Sequence, residues 1–124
     1  MMSRNKPTVL VVEDEELLRI IVNDELREAG FEVMEAEDGG KALAILTSGR
    51  RVDLLFTDIR MPGGLSGWDV AEQARALRPD LPVIYATGFS DECPRIVEGA
   101  RFFKKPYRPS AIIDAARELG VNLG

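Results

Sequence analysis

The chain has 124 residues, of which 45% are hydrophobic and 30% charged, a balance that is typical of one globular domain and argues against disorder. A formal net charge of −5 disfavours a nucleic-acid partner, because affinity for the phosphate backbone comes largely from clustered Lys and Arg. The chain has no His and one Cys, Cys93, which excludes histidine-dependent catalysis, an internal disulfide and a cysteine-based zinc site. The apolar runs are too short to span a bilayer, and the first residues show no apolar segment of signal-peptide length. We therefore expect a cytoplasmic protein with no membrane partner.

Strand-like apolar runs alternate with helical patterns along the chain, which predicts strand–helix–strand units and a parallel sheet. The predicted strands are Thr8–Val12, Phe31–Glu35, Val52–Asp58, Pro82–Ala86 and Phe102–Phe103. Helical spacing after the first three strands and near the end of the chain predicts four buried stripes: Leu18, Ile21, Val22, Leu26 and Ala29; Ala42, Leu43, Ile45 and Leu46; Val70, Ala71, Ala74 and Leu77; and Ile112, Ala115, Ala116 and Leu119.

Capping and turn residues set the expected helix ends. Asp38 is a predicted N-cap, while Gly30 and Gly49 are typical exits from the first and second helices. The loop from Ile59 to Gly67 is too rich in Gly and Pro for regular structure, and Pro109-Ser110 should precede the last helix. Pro94 and Gly99 leave room for only a short helix between the fourth and fifth strands, and we expect 90–99 to be the most mobile segment.

Polar side chains follow four of the predicted strands. Glu13 and Asp14 follow the first strand, Asp58 ends the third, Thr87 follows the fourth and Lys105 follows the fifth. The carboxyl ends of parallel strands meet at one edge of such a sheet, where ligands bind. We therefore expect acids, a hydroxyl and an amine to share that edge.

The loop after the first strand indicates what this edge binds. It reads Glu13-Asp14-Glu15-Glu16 and lacks the glycine-rich phosphate-binding patterns of dinucleotide and nucleoside triphosphate sites. Glu15 and Glu16 are best interpreted as capping the first helix, where negative charge is favourable. Three carboxylates close together repel by about 3 kcal/mol per pair at an effective dielectric constant of about 20, which favours a bound cation at Glu13, Asp14 and Asp58.

Mg²⁺ suits a few carboxylates with several waters. It would neutralise an incoming phosphoryl group and allow the Asp58 carboxylate to attack phosphorus, while Thr87 and Lys105 would hold the phosphoryl oxygens. Trp68 is expected to pack at the start of the third helix, and Arg60 and Gly88 flank the predicted site.

In this order and spacing, the residues from about Thr8 to Gly120 resemble the receiver domain of two-component response regulators, and Met61-Pro62-Gly63 matches the family's loop after the phosphorylated aspartate. The resemblance implies a flavodoxin-like fold: a single doubly wound α/β domain over residues 1–124, with a five-stranded parallel sheet in the order 2-1-3-4-5, flanking helices and a shortened fourth helix.

The resemblance also implies a role for each site residue. Asp58 would be the phosphoacceptor, and Thr87 and Lys105 would bind phosphoryl oxygens. Thr87 and Phe102 would form the switch. The ligands of Mg²⁺, or of Mn²⁺ in its place, would be Glu13, Asp14, Asp58 and the backbone carbonyl of Arg60.

The function implied is a phosphoacceptor module of a phosphorelay, which receives a phosphoryl group from a sensor histidine kinase or a histidine phosphotransfer protein. It would be no enzyme beyond promoting its own phosphorylation and dephosphorylation, and it carries no DNA-binding output domain. One alternative is a Mg²⁺-dependent aspartyl-phosphate phosphatase, although Arg60 stands where such enzymes carry a second acid. Another is a receiver-like binding module without phosphorylation.

Two departures from the family pattern concern loops. The segment Pro62 to Gly67 is slightly longer than usual, and the segment between Thr87 and Lys105 is several residues shorter. The shorter segment affects the face that commonly serves output and dimerisation in the family. A homodimer and the downstream target therefore stay open, as does the choice between a stand-alone regulator and part of a hybrid kinase.

Overall fold

The computed structural model describes residues 6–61, 63–88 and 95–121, and its strands and helices alternate as predicted as far as the fourth strand. The strands are β1 (Thr8–Val12), β2 (Glu32–Ala36), β3 (Leu54–Asp58), β4 (Val83–Thr87) and β5 (Arg101–Lys104). The helices of the described ranges are α1 (Glu16–Glu28), α2 (Gly39–Thr47), α3 (Gly67–Leu77) and α4 (Pro109–Glu118). All neighbouring strands pair in parallel in the order β2-β1-β3-β4-β5, which confirms the expected flavodoxin-like sheet.

The core forms one apolar layer on each face of this sheet. Alternate side chains such as Leu10, Leu55 and Val83 pack against α2 and α3, whereas Val9 and Ile84 pack against α1 and α4. Strands covered on both faces favour continuous apolar runs over alternating ones. Because β1, β3 and β4 are covered on both faces, each of them forms a recognisable apolar run in the sequence.

Several predicted boundaries were wrong by one or two residues. Phe31 belongs to the exit turn of α1, because its N–H donates to the Leu26 carbonyl at 3.0 Å, so β2 begins one residue later. Gly67, predicted in the loop, is the first residue of α3, because Ser66 forms a capping box with Asp69. Pro109 is likewise inside its helix, at a first-turn position that suits proline.

Two side chains predicted in buried stripes are exposed. Ile21 is 47% exposed, because the buried line of α1 runs through Val22 and Leu26 and no part of the described chain covers the neighbouring flank. Leu77 is 50% exposed because it lies at the end of α3, beyond Ala74, the last buried residue of that helix. Asp38 caps α2 as predicted, with its Oδ1 accepting from the Lys41 N–H at 2.8 Å.

The short helix predicted between β4 and β5 is absent from residues 95–100. Residues 89–94, which include Cys93 and Pro94, lie outside the described residues. The expected mobility of 90–99 stays a prediction. None of the helices in the described ranges is long and apolar enough to cross a membrane.

Residues 95–100 are held against α3 and β4 by polar contacts. The Arg95 guanidinium lies 3.0 Å from Asp69 Oδ1 and 2.7 Å from Glu72 Oε1, both on α3. The Val97 N–H donates to the Tyr85 hydroxyl at 3.1 Å. These contacts place the connection beside α3.

Candidate functional site

The carboxyl ends of four strands meet at one edge of the sheet, as predicted. Asp58 is paired with Ala86, and the Ile59 N–H continues that ladder by donating to the Ala86 carbonyl at 3.1 Å. The Lys105 N–H donates to the Thr87 carbonyl at 2.8 Å, which places Lys105 directly after β5 at the same edge. The tertiary structure thus gathers residues that are far apart in sequence.

Lys105 bridges two buried carboxylates. Its Nζ lies 3.0 Å from Asp58 Oδ2 and 3.1 Å from Glu13 Oε1. Each carboxylate has a second anchor, since Asp58 Oδ1 accepts from the Ile59 N–H at 2.7 Å and Glu13 Oε2 accepts from the Glu15 N–H at 3.0 Å. Donors on both oxygens fix the orientation of each carboxylate before any ligand arrives.

Burial raises the free-energy cost of charging Glu13 and Lys105. Glu13 is only 2% exposed, and burial together with the nearby charge of Asp58 raises its pKa to about 7, against the opposing effects of the Glu15 N–H and the Lys105 ammonium. Burial disfavours the charged form of Lys105, but the hydrogen bonds and charges of the two carboxylates outweigh it, so the pKa of Lys105 is raised. The site therefore favours additional positive charge.

The acids also have the spacing of a cation site. Glu13, Asp14 and Asp58 each offer a carboxylate oxygen, and these oxygens lie within 4.8 Å of one another. In a Mg²⁺ octahedron with bonds near 2.1 Å, neighbouring ligands are about 3 Å apart and opposite ones about 4.2 Å. A small contraction of these oxygens would therefore accommodate a divalent ion.

The site is open to solvent. Asp14 is exposed, and a cleft of about 520 Å³ reaches Asp58 between the loops after β1 and β3. Its lining consists of Glu13, Asp14, Glu15, Asp58, Arg60, Met61 and Lys105. A ligand that approaches through this cleft meets the carboxylates and the Lys105 ammonium together.

The predicted switch residues lie on one face of the sheet. Thr87 is fully buried at the end of β4, two residues after Tyr85 and hence on the same side of the strand. Tyr85 is the register partner of Phe102, whose ring stacks on Trp68 with centroids 6.3 Å apart and an interplanar angle of 18°. Trp68 packs at the start of α3 as predicted, and it connects that helix to the aromatic residue of β5.

One capping prediction was wrong. Glu15 occupies the N-cap position of α1, but its side chain makes no capping hydrogen bond. Its backbone N–H donates to the Glu13 carboxylate. Glu16 lies in the first turn, where its charge suits the helix dipole as expected.

The sequence patterns did not identify three residues that lie around the site. The Arg19 guanidinium donates to the Glu13 carbonyl at 2.8 Å. Tyr107 buries its hydroxyl, for which the described residues provide no hydrogen-bond partner; burial, and next the charge of Glu13, raises its pKa. A Cβ at Gly67 would overlap the Asp58 carbonyl oxygen. Only Arg19 had a signal, as the first cation after the run of four acids at 13–16.

The chain matches the family model "Response regulator receiver domain" over residues 9–117. A response regulator receiver protein from Sinorhizobium medicae is 32% identical with a TM-score of 0.89, over 94% of this chain and 96% of that one. The response regulator TrrA from Thermotoga maritima, solved in complex with Mg²⁺ and BeF, is 31% identical with a TM-score of 0.82, over 91% of this chain and 98% of that one.

Longer proteins contain a similar segment. A cyclic di-GMP phosphodiesterase from Thermotoga maritima is 35% identical over 103 residues, which are 80% of this chain and 27% of that protein. The chain thus spans about a quarter of the length of this curated relative. The family match covers most of the chain and coincides with the strand-end site built above, and the chain therefore belongs to the response regulator receiver domains of two-component systems.

Proposed function

We propose that this chain is a phosphoacceptor that receives a phosphoryl group on Asp58 from a phosphohistidine. The observation that carries the proposal is the arrangement of Asp58, with one oxygen 3.0 Å from Lys105 Nζ and with Glu13 and Asp14 within reach of a shared cation. Phosphoryl transfer depends mainly on positioning and on stabilisation of charge, and this arrangement offers both.

The transfer exchanges one bond to phosphorus for another. A carboxylate oxygen of Asp58 forms the new P–O bond, and the P–N bond of the phosphohistidine breaks. The electron pair leaves with the imidazole nitrogen, which then takes up a proton. Thr87 and Lys105 hold phosphoryl oxygens, so the charge that moves onto Asp58 meets a hydroxyl and an ammonium.

Mg²⁺, or Mn²⁺ in its place, would be held by Glu13, Asp14, Asp58 and the backbone carbonyl of Arg60. When bound, it would neutralise negative charge on the phosphoryl group and on the carboxylates. Three converging carboxylates and a Glu13 pKa of about 7 support this assignment, because both indicate a site short of positive charge. The complex of the similar protein TrrA with Mg²⁺ and BeF supports it further.

Phosphorylation would be reported through the aromatic face of the sheet. A phosphate on Asp58 adds charge and acceptor oxygens that draw the Thr87 hydroxyl, and the Phe102 ring on the same face responds to the space that this movement leaves. Phe102 is half-buried against Trp68, so its movement would change the surface between α3 and β5.

The partner is a sensor histidine kinase or a histidine phosphotransfer protein, the proteins that phosphorylate receivers. We assign residues 1–124 to a single receiver domain that has no catalytic activity beyond its own phosphorylation and dephosphorylation. Its surroundings would be cytoplasmic, where phosphohistidine donors act.

Incubation with acetyl phosphate and Mg²⁺, followed by intact-mass measurement, tests the proposal. We expect the mass of one phosphoryl group on the wild-type chain, none in Asp58→Asn, and none in excess EDTA. Asp53→Asn is the matched control, because Asp53 precedes the same strand at its opposite end. An unlabelled wild type, or labelling that persists in Asp58→Asn, would refute the phosphoacceptor role.

A further inference from the structure

Arg19 has an unusual location for a cation. It lies in the first turn of α1, where the helix dipole disfavours positive charge, and beside a group of acids that would bind another cation. Its side chain is nevertheless only 15% exposed. Specific contacts must therefore offset the unfavourable location.

Those contacts join three elements. The Arg19 Nη1 donates to the Glu13 carbonyl at 2.8 Å, and the Nε donates to Glu35 Oε1 on β2, also at 2.8 Å. Asn23, one turn further along α1, donates to the same Glu35 oxygen at 3.2 Å. The planar guanidinium, with donors in a fixed fork, can hold both acceptors at once, whereas a lysine ammonium on a flexible stem cannot fix that geometry.

The Glu13 carbonyl belongs to the peptide that links the two acids of the loop after β1. Its orientation sets the direction in which the chain leaves Glu13, and hence the location of the Asp14 carboxylate. The Glu13 N–H is already fixed on the Ala36 carbonyl at 3.1 Å, so the Arg19 contact fixes the other end of the same residue. Asp14 itself is exposed and depends on its backbone for position.

We propose that Arg19 is a positioning residue for the divalent-cation site, holding the Glu13–Asp14 peptide so that both carboxylates face Asp58. This inference rests on the cation site of the proposed function. It predicts an effect opposite in sign to simple electrostatics: removal of a nearby positive charge should tighten cation binding, whereas loss of positioning should weaken it.

Calorimetric titration of the full chain with MgCl₂ measures that sign directly, without phosphorylation. We expect Arg19→Gln to weaken Mg²⁺ binding by about tenfold or more, the usual effect of losing a residue that orients metal ligands. Arg27→Gln makes the same charge change at the exposed end of α1 and should change the affinity by less than about twofold. Glu35→Gln retains an acceptor for the Nε and should stay near wild type, whereas Glu35→Ala should also weaken binding.

The rate of labelling by acetyl phosphate gives an independent readout. In Arg19→Gln, the Mg²⁺ concentration for half-maximal rate should rise by the same factor, with the rate at saturating Mg²⁺ within about twofold of wild type. Unchanged or tighter Mg²⁺ binding by a folded Arg19→Gln chain would overturn the proposed role of Arg19 but not the proposed cation site. If that variant does not fold, unchanged binding by Glu35→Ala would overturn it. Absence of Mg²⁺ binding by the wild type would overturn the proposed cation site and this inference with it.

Discussion

Replacing Glu13 with Gln should stabilise the metal-free protein at neutral pH, although it removes a residue of the proposed site. Glu13 is 2% exposed, and its carboxylate lies beside that of Asp58. Gln has the same shape and retains one oxygen that can accept from Lys105, but it carries no buried charge. The variant therefore avoids the free-energy penalty of ionising this group. Its amide nitrogen cannot accept from the Glu15 N–H, and the loss of that hydrogen bond costs about 1 kcal/mol at every pH.

The direction and size of the effect follow from proton linkage. The pKa of Glu13 is raised from 4.5 in the unfolded chain to about 7 in the folded one. Between these values the unfolded chain has lost the proton and the folded chain retains it, so the free energy of unfolding falls as pH rises. At about 1.4 kcal/mol per pKa unit, the wild type loses up to about 3 kcal/mol by pH 8, and Glu13→Gln does not.

Urea unfolding in EDTA at intervals between pH 5 and pH 8 checks this prediction. The difference in stability between Glu13→Gln and wild type should grow with pH across this range and level off above about pH 7.5. Glu32→Gln, which removes an exposed carboxylate on β2, should show no such growth. A Glu13→Gln advantage that is absent, or that does not change with pH, would refute the reasoning. Saturating Mg²⁺ should narrow the difference, because it stabilises the wild type more.

Three further substitutions test the packing around the site. Gly67→Ala should destabilise the fold by about 1–3 kcal/mol or more in urea unfolding, because its Cβ would overlap the Asp58 carbonyl oxygen, a backbone atom. Lys105→Met should lower the melting temperature in EDTA and regain part of it in Mg²⁺, because it leaves two buried carboxylates without their ammonium partner. The fluorescence of Trp68, the single Trp, should respond to beryllofluoride with Mg²⁺, and Phe102→Leu should diminish the response, because the two rings stack.

Matched control substitutions separate these effects from nonspecific effects of substitution on the fold. Gly40→Ala, also at a helix start but with nearest contact at 3.5 Å, should be neutral or stabilising. Lys104→Met removes an exposed neighbouring lysine and should leave the melting temperature unchanged. Phe103→Leu lies on the opposite face of β5 and should preserve the Trp68 response. Equal effects in a variant and its control would contradict the corresponding prediction.

Local sequence patterns were sufficient for most of the strands and helices, whereas the order of the strands in the sheet was implied by the family resemblance. The strands β1, β3 and β4 are buried on both faces, so their apolar runs stand out, and Asp38 caps α2 through a contact only three residues away. The short helix that was expected before β5 does not form in residues 95–100. Polar contacts with α3 hold this part of the chain instead. Those contacts join residues more than twenty positions apart, and no local pattern encodes them.

The exposed side chains of Ile21 and Leu77 also separate what local patterns predict from what tertiary packing decides. Helical periodicity identifies which residues share a face, but the width of the buried stripe depends on what packs against it. Neighbouring elements cover Val22 and Leu26 and leave Ile21 on an uncovered flank. Burial at the margins of a helix is therefore a tertiary property.

For the site, the sequence by itself determined the chemical groups and the strand ends that carry them: Glu13 and Asp14, Asp58, Thr87 and Lys105. Parallel pairing brings such ends to one edge, so their proximity followed from the order of strands. Only the tertiary structure decided that Lys105 bridges Glu13 and Asp58, that burial raises the pKa of Glu13, and that Arg19 holds the Glu13 carbonyl. These depend on distances and burial between distant segments, which packing sets and local periodicity does not record.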